Sequence, residues 1–246
     1  MTTEEFSSAF DVYMNSYSQS MGDPFVMGGL NFDEYEKSLF LTEAQEQYVK
    51  HLYKGGYGLD AFEETEDLRR KLDNLIKQFE YTSSDDVSDT VKPIKDGKTH
   101  TIFKLQDDCW YIIYESATNG SDDSCLGGMS CDVVPMPHDL YNRTRNNPFR
   151  GPNNKRVLRL DKGENYVELV SSFPIGTYIV RYLKRPNPII LVPLENTGLF
   201  INGKQEEATC ELNDVVHRNI LELAVKLAYA SRATTSSSKK DSSDDN

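Results

Sequence analysis

Residues 211–232, ELNDVVHRNILELAVKLAYASR, decide the fold class because they return the chain to a helix after a long β-rich run. The spacing of four, three and four residues is that of one helix face, and the stripe consists of Val216, Ile220, Leu223 and Leu227. Further small or apolar residues widen it: Leu221, Ala224, Val225 and Ala228. We predict an amphipathic helix that is capped by Asn213 or Asp214, carries a Glu222–Lys226 pair outside and completes a domain core. Its alanine-rich flank would let a neighbouring helix approach closely.

The first 80 residues are predicted to be helical. Phe6, Phe10 and Tyr13 share one face of an N-terminal helix that Thr2 or Thr3 caps. Three further helical patterns follow, and they are NFDEYEKSLFL (31–41), TEAQEQYVKHLYKGG (42–56) with a Thr42–Gln45 capping box, and TEDLRRKLDNLIKQF (65–79).

Short segments rich in β-branched and aromatic residues then alternate with Gly and Pro turns, which is typical of an antiparallel sheet. They are KTHTIFKL (98–105), CWYIIYES (109–116), CDVVPMP (131–137), KRVLRLD (155–161), NYVELVSS (165–172), GTYIVRYLK (176–184) and PIILVPL (188–194). The order of helices, sheet and helix predicts an α+β fold. Residues 1–80 and 211–232 form a helical bundle, an antiparallel β-rich domain with long loops is inserted at 81–210, and 233–246 form a disordered tail.

Composition bounds the function classes. A net charge of −12 disfavours general nucleic-acid binding, because phosphate contacts need clustered Lys and Arg. No run approaches the roughly 18 apolar residues of a membrane span. The N-terminal MTTEEFSSAF has no basic region before an apolar block, so we expect no signal peptide and synthesis in a cytoplasm.

The sequence offers no catalytic or metal-binding motif. GxSxG and HExxH are absent, and the glycines of KGGYG and CLGGMS do not form a phosphate-binding loop. The four histidines, including His217, lie in different elements. A zinc site of Cys125, Cys131 and His138 would lack a good fourth ligand. We therefore predict a protein that is not an enzyme and holds no cofactor and no metal.

One basic segment, HDLYNRTRNNPFRGPNNKRVLRLD (138–161), stands out in this acidic chain. Its candidate interface residues are Arg143, Arg145, Phe149, Arg150, Lys155, Arg156 and Arg159. A solvated loop whose arginines pair with the chain's own carboxylates and a docking loop for an acidic neighbour both account for the charge. Pro148, Gly151 and Pro152 fix an extended loop around Phe149, and these fixed turns and the apolar anchor favour docking.

Four blocks of the sequence resemble one known family. They are FDEYEKSLFLTEAQEQYVKHLY (32–53), FEETEDLRRKLDNLIKQF (62–79), the basic segment 138–161 and ELNDVVHRNILELAVKLA (211–228). Together they resemble the ring proteins of the head-to-tail connector of crAss-like bacteriophages. The last block is also similar to the final helix of other tailed-phage adaptors.

The resemblance implies a structural virion protein in the connector between portal and tail. It implies a homo-oligomeric ring, a dodecamer in such proteins, that contacts the portal and other ring proteins and has a passing contact with double-stranded DNA in the channel. The terminal helix favours the first ring beneath the portal. A closed ring needs two different complementary faces on each subunit, which an acidic helical face and the basic loop would supply. The alternative is a virion-associated DNA-binding or cargo protein that places the same arginines on phosphate.

Overall fold

The computed structural model describes residues 1–20, 31–54, 66–121 and 127–240, without the side chains of 67–69 and 233–240. The described helices are α1 (Thr3–Ser20), α2 (Glu34–Tyr53), α3 (Glu66–Leu72), α4 (His138–Thr144) and α5 (Asp214–Lys240). The strands are β1 (Ile76–Thr82), β2 (Thr99–Lys104), β3 (Cys109–Asn119), β4 (Ser130–Pro135), β5 (Arg156–Gly163), β6 (Tyr166–Ser171) and β7 (Ile175–Lys184). The chain divides into two compact units, Met1–Leu75 with Pro186–Asn246, and Ile76–Arg185.

In the first unit, α1 and α2 both pack against α5. The α5 residues that are almost completely buried are Val216, His217, Ile220, Leu221, Ala224, Val225 and Ala228. The apolar stripe of α5 is therefore rotated from the predicted one, since Leu223 and Leu227 are only half-buried. The alanine-rich flank lies inside the unit and is not available to a neighbouring subunit. Arg218, and not Lys226, pairs with Glu222, at 3.1 Å.

The helix α2 is a single helix where the sequence predicts two. It begins at a capping box in which the Asp33 carboxylate accepts from the Glu36 N–H and the Glu36 carboxylate accepts from the Asp33 N–H. Thr42, the predicted start of a second helix, is buried in its interior. Its hydroxyl accepts from the Ile189 N–H at 3.1 Å and lies 3.2 Å from the Ile189 carbonyl oxygen, to which it donates.

Segment 187–191 docks on the polar face of α2 by the same means. The Gln45 side chain donates to the Asn187 carbonyl oxygen at 2.7 Å, and the Ser38 hydroxyl accepts from the Leu191 N–H at 3.0 Å. The predicted strand 188–194 is therefore wrong. Only an isolated bridge, Ile190 to Ala208, forms there, because α2 side chains satisfy the backbone groups that a sheet would have used.

The second unit contains a seven-stranded sheet in the order β1-β7-β3-β4-β5-β6-β2. Pairing is antiparallel except between β4 and β5, which are parallel. The sequence-based expectation of an antiparallel sheet is corrected at this pair, where α4 supplies the crossover connection between two strands of the same direction. Tyr178, Phe103 and Leu169 are among the buried residues of its core.

Two further expectations differ from the structure at the edges of elements. Helix α3 ends at Leu72 and a short 3-10 turn follows, so Ile76–Thr82 form strand β1 where the sequence predicts helix to Phe79. The backbone of α5 is helical as far as Lys240, beyond the predicted start of the tail at residue 233, and residues 241–246 lie outside the described residues. No helix in the described ranges is long and apolar enough to cross a membrane.

Candidate functional site

The basic segment, 138–161, consists of helix α4, a loop of residues 145–155 and the first residues of β5. We refer to residues 145–155 as the arginine loop. The Asn147 side chain shapes it, because its amide oxygen accepts from the N–H groups of Phe149 and Arg150 at 2.9 and 3.1 Å. The Gly151 N–H donates to the Asn147 carbonyl oxygen at 2.7 Å. A Cβ on Gly151 would lie 2.6 Å from that oxygen, so a larger residue cannot occupy this position without moving the backbone.

The tip of the arginine loop presents an apolar ring next to cations. Phe149 is 84% exposed, the highest value among the exposed large hydrophobic residues described. Arg156 donates through Nη1 to the Phe149 carbonyl oxygen at 2.6 Å and so braces the tip. Arg143, Arg150 and Lys155 are exposed, and their side chains form no hydrogen bond or ion pair with any described residue. The loop therefore presents an exposed aromatic ring with Arg150 and Lys155, and Arg143 of the preceding helix α4 is a third cation without an ion-pair partner among the described residues.

The other two predicted interface residues face inward. Arg159 is 11% exposed and its Nη1 contacts the Glu115 carboxylate at 2.5 Å, while its Nε lies 3.0 Å from an Asp161 oxygen. The Tyr178 hydroxyl donates to the same Glu115 carboxylate. Arg145 is partly buried, and its Nη1 lies 3.5 Å from the Asp96 carboxylate. The structure places both arginines in internal ion pairs, as the solvated-loop alternative expected for all of them.

A buried polar cluster that sequence reasoning missed lies beneath α4. The His100 ring nitrogens lie 2.7 Å from Asp96 and 2.8 Å from Glu168, and both carboxylates are completely buried. The Tyr141 hydroxyl of α4 donates to Asp96, and Lys162 lies 3.1 Å from Glu168. The cluster joins α4, β2, β5, β6 and the segment before β2. Its sequence signal is Glu168, a lone acid in the apolar strand NYVELVSS, which indicates a buried carboxylate with partners.

The charges of this cluster stabilise one another. Burial alone would lower the pKa of His100, but hydrogen bonds and charge from Glu168 and Asp96 outweigh it, so the pKa is raised. Burial would raise the pKa of both carboxyls. Bonds from Tyr141 and His100 hold the Asp96 pKa well below its usual value, and bonds from His100, the Ile94 N–H and Lys162 lower that of Glu168. The cluster carries structural charge and has every member engaged.

No metal-binding constellation of three or more His, Cys, Asp or Glu residues is present in the described part of the chain. Of the rejected zinc set, Cys125 lies outside the described residues, Cys131 is buried, and the His138 Nε2 lies 2.6 Å from the Asp161 carbonyl oxygen. His217 is buried, with its Nε2 2.9 Å from the Leu212 carbonyl oxygen, and burial lowers its pKa. It serves the core of the helical unit.

The sequence belongs to a family of phage structural proteins. A family model described as phage tail ring protein 3/4 matches residues 1–240, so the chain is a member of that family and a ring protein of the crAss-like phages.

Two curated proteins of Bacteroides phage crAss001 give the comparison more detail. Ring protein 3 is 43% identical over 244 residues, which cover 98% of this chain and 100% of that protein. Ring protein 4/5 is 33% identical over 245 residues, which cover 94% of this chain and 93% of that protein. The resemblance seen in the sequence blocks is confirmed, and the chain is a structural component of a virion.

Proposed function

We propose that this protein forms one ring of the portal-tail connector and builds part of the channel through which DNA passes between capsid and tail. The observation that carries the proposal is the exposed Phe149 of the arginine loop, in the same basic segment as Arg143, Arg150 and Lys155, which have no ion-pair partner among the described residues. An apolar anchor in a cationic rim fits a protein interface, where the buried anchor gives affinity and the rim gives orientation. The protein acts as a building block and not as an enzyme.

The ring is a dodecamer in this proposal, with the portal protein and other ring proteins as axial neighbours. The greater identity to Ring protein 3 than to Ring protein 4/5 supports the position of Ring protein 3, and gives no support to the first ring beneath the portal. We propose further that α1, α2 and α5 form a helical bundle into which the β-rich domain is inserted. The chain is made in the host bacterial cytoplasm and resides in the tail of the virion.

Negative-stain microscopy and mass photometry of the purified chain, alone and with its phage's portal and neighbouring ring proteins, test the proposal. We expect closed rings with a single subunit number, and twelvefold averages. A chain that stays monomeric with all of these partners at low and physiological salt would contradict the ring assignment.

A virion-associated DNA-binding or cargo protein is the second candidate, and the same three unpaired cations favour it. Three phosphate contacts predict that log K falls with log salt with a slope of about −2.7. Fluorescence anisotropy with a labelled duplex at low salt decides the matter. Binding with that slope, lost in Arg150→Glu, would support it, and no binding at low salt would remove it.

A further inference from the structure

The outer face of α1 is complementary in charge to the arginine loop. Helix α1 contains Glu4, Glu5 and Asp11 but no Lys or Arg. Glu4, Ala9, Val12 and Tyr13 line a shallow groove along it, which we call the α1 groove. Val12 is 62% exposed and gives the α1 groove an apolar side chain that a partner could cover.

A cleft between α1 and α5 extends the α1 groove. Tyr13 lines both, and Tyr17, Val225 and Glu222 line the cleft. Lys226 also lines the cleft and is a cation there. Glu4 has no hydrogen-bond or ion-pair partner among the described residues. The surface thus combines exposed apolar and aromatic groups with a carboxylate that is free to accept a cation.

We propose that the arginine loop of one subunit docks in the α1 groove of a second copy of this chain. The inference rests on the proposed ring function and specifies its interface. Phe149 covers Val12 and Tyr13, and Arg150 and Lys155 approach Glu4. Both surfaces have an exposed apolar residue, and the side chains of Glu4 on one and of Arg150 and Lys155 on the other form no ion pair with any residue that the structure describes.

The pairing of two different surfaces also fits ring geometry. A cyclic assembly of more than two subunits uses head-to-tail contacts, so every copy needs one loop and one groove. The loop is held in shape by Asn147, Gly151 and Arg156, which lowers the ordering cost of docking. Duplex DNA is poorly suited to replace the arginine loop in the α1 groove, because the carboxylates of α1 would repel its phosphates.

Cysteine cross-linking of the full-length protein tests the contact directly. We expect the double variant Ser8→Cys with Asn146→Cys, which leaves Val12 and Phe149 in place, to give a ladder of covalent oligomers on a non-reducing gel when it is oxidised after ring assembly. Ser8→Cys alone and Asn146→Cys alone are the matched controls, since they carry the same parental thiols. Rings that are visible by microscopy but give no more cross-linking in the double variant than in the single ones would overturn the contact and leave the ring function standing.

Charge reversal gives a second, independent measurement. Glu4→Lys is expected to weaken ring association roughly fivefold, and the added Arg150→Glu should restore it, because the pair is regained with opposite polarity. Failure of that rescue in protein that still forms rings overturns the charge pairing. Absence of rings from the unmodified chain with all its partners contradicts the ring function itself. Duplex binding that needs Arg150, together with unchanged rings in Glu4→Lys, would assign the loop to DNA.

Discussion

Arg159 and Arg143 lie in the same basic segment, and their environments give them different roles. Arg159 is buried against Glu115, so its removal leaves a carboxylate without its cation in a site of 6% exposure. We expect Arg159→Met to lower the free energy of unfolding by about 3 kcal/mol. Arg143→Met, the matched control on the exposed side of α4, is expected to change it by less than about 0.5 kcal/mol. Urea unfolding followed by circular dichroism measures both, and equal effects would contradict the assignment.

The buried His100 makes stability depend on pH. Its pKa is raised in the folded chain, so its contribution is complete below the unfolded value of 6.5 and is lost as the pH rises through the folded value. The lowered pKa values of Asp96 and Glu168 act in the opposite direction, and their contribution is lost as the pH falls below their unfolded values of 3.8 and 4.5. The cluster therefore stabilises most between about pH 4.5 and 6.5.

A pH series of unfolding midpoints tests this window. The unfolding midpoint of wild type is expected to fall as the pH rises above 6.5. His100→Gln should have a lower midpoint than wild type at pH 6.5, and its midpoint should fall less over the same pH range. A wild-type slope that persists unchanged in His100→Gln would assign the pH dependence to another group.

At the scale of secondary-structure elements, side chains of α2 hold the irregular segment 187–191 in place. The Thr42 hydroxyl forms buried hydrogen bonds with both the N–H and the carbonyl oxygen of Ile189. Thr42→Val keeps the shape but leaves an N–H and a carbonyl unsatisfied, which we expect to cost about 2–3 kcal/mol. Thr90→Val, the same change at an exposed residue, should cost less than about 0.5 kcal/mol. Chemical denaturation checks the pair, and a neutral Thr42→Val would show that 187–191 is held by its apolar contacts.

Local sequence patterns correctly predicted the elements that are determined by residues close to one another in the chain. The amphipathic period located α1 and α5, since Phe6 and Phe10 repeat on one face. It failed at Ile76–Phe79, where a helical spacing is overridden by pairing with β7, about 100 residues away. The prediction of a strand at 188–194, which rested on its β-branched and aliphatic content, was also wrong, because side chains of α2 bind the backbone groups of that segment. Non-local pairing leaves no periodic trace in either segment.

The candidate site was predictable to a similar extent. Charge clustering located the arginine loop, and Asn147 and Gly151 have the residue types that such a turn requires. Charge alone did not separate the exposed Arg150 from the buried Arg159, because both residues carry the same charge within one basic segment. Alternation in KRVLRLD distinguishes the faces of β5, but the acid that meets Arg159 lies on β3. Glu115 meets Arg159 because of the order of the strands in the sheet, and the sequence pattern does not predict that order.

At the scale of the whole molecule, net charge determines how the proposed ring should respond to salt. Identical subunits of net charge −12 repel one another on average, and in the proposed ring we expect association to depend on the local opposition of the arginine loop and an acidic surface. The Debye length falls from about 10 Å at 0.1 M salt to about 3 Å at 1 M. Added salt therefore screens both the overall repulsion and the exposed contact, while the apolar contact of Phe149 persists.

Truncation of the Phe149 side chain separates the apolar contribution to assembly from the electrostatic contribution. Phe149→Ala is expected to weaken ring association about tenfold or more, at high and low salt alike, since an apolar anchor is lost. The melting temperature of the Phe149→Ala subunit should equal that of wild type within error, because the Phe149 side chain is 84% exposed and is not part of a core. Phe200→Ala, at a 59% exposed phenylalanine of the helical unit, is the matched control and should assemble normally.

Arg150→Glu should instead weaken assembly chiefly at low salt. Mass photometry across a salt series distinguishes these profiles, and normal assembly of Phe149→Ala would show that the loop is not the anchor of the ring.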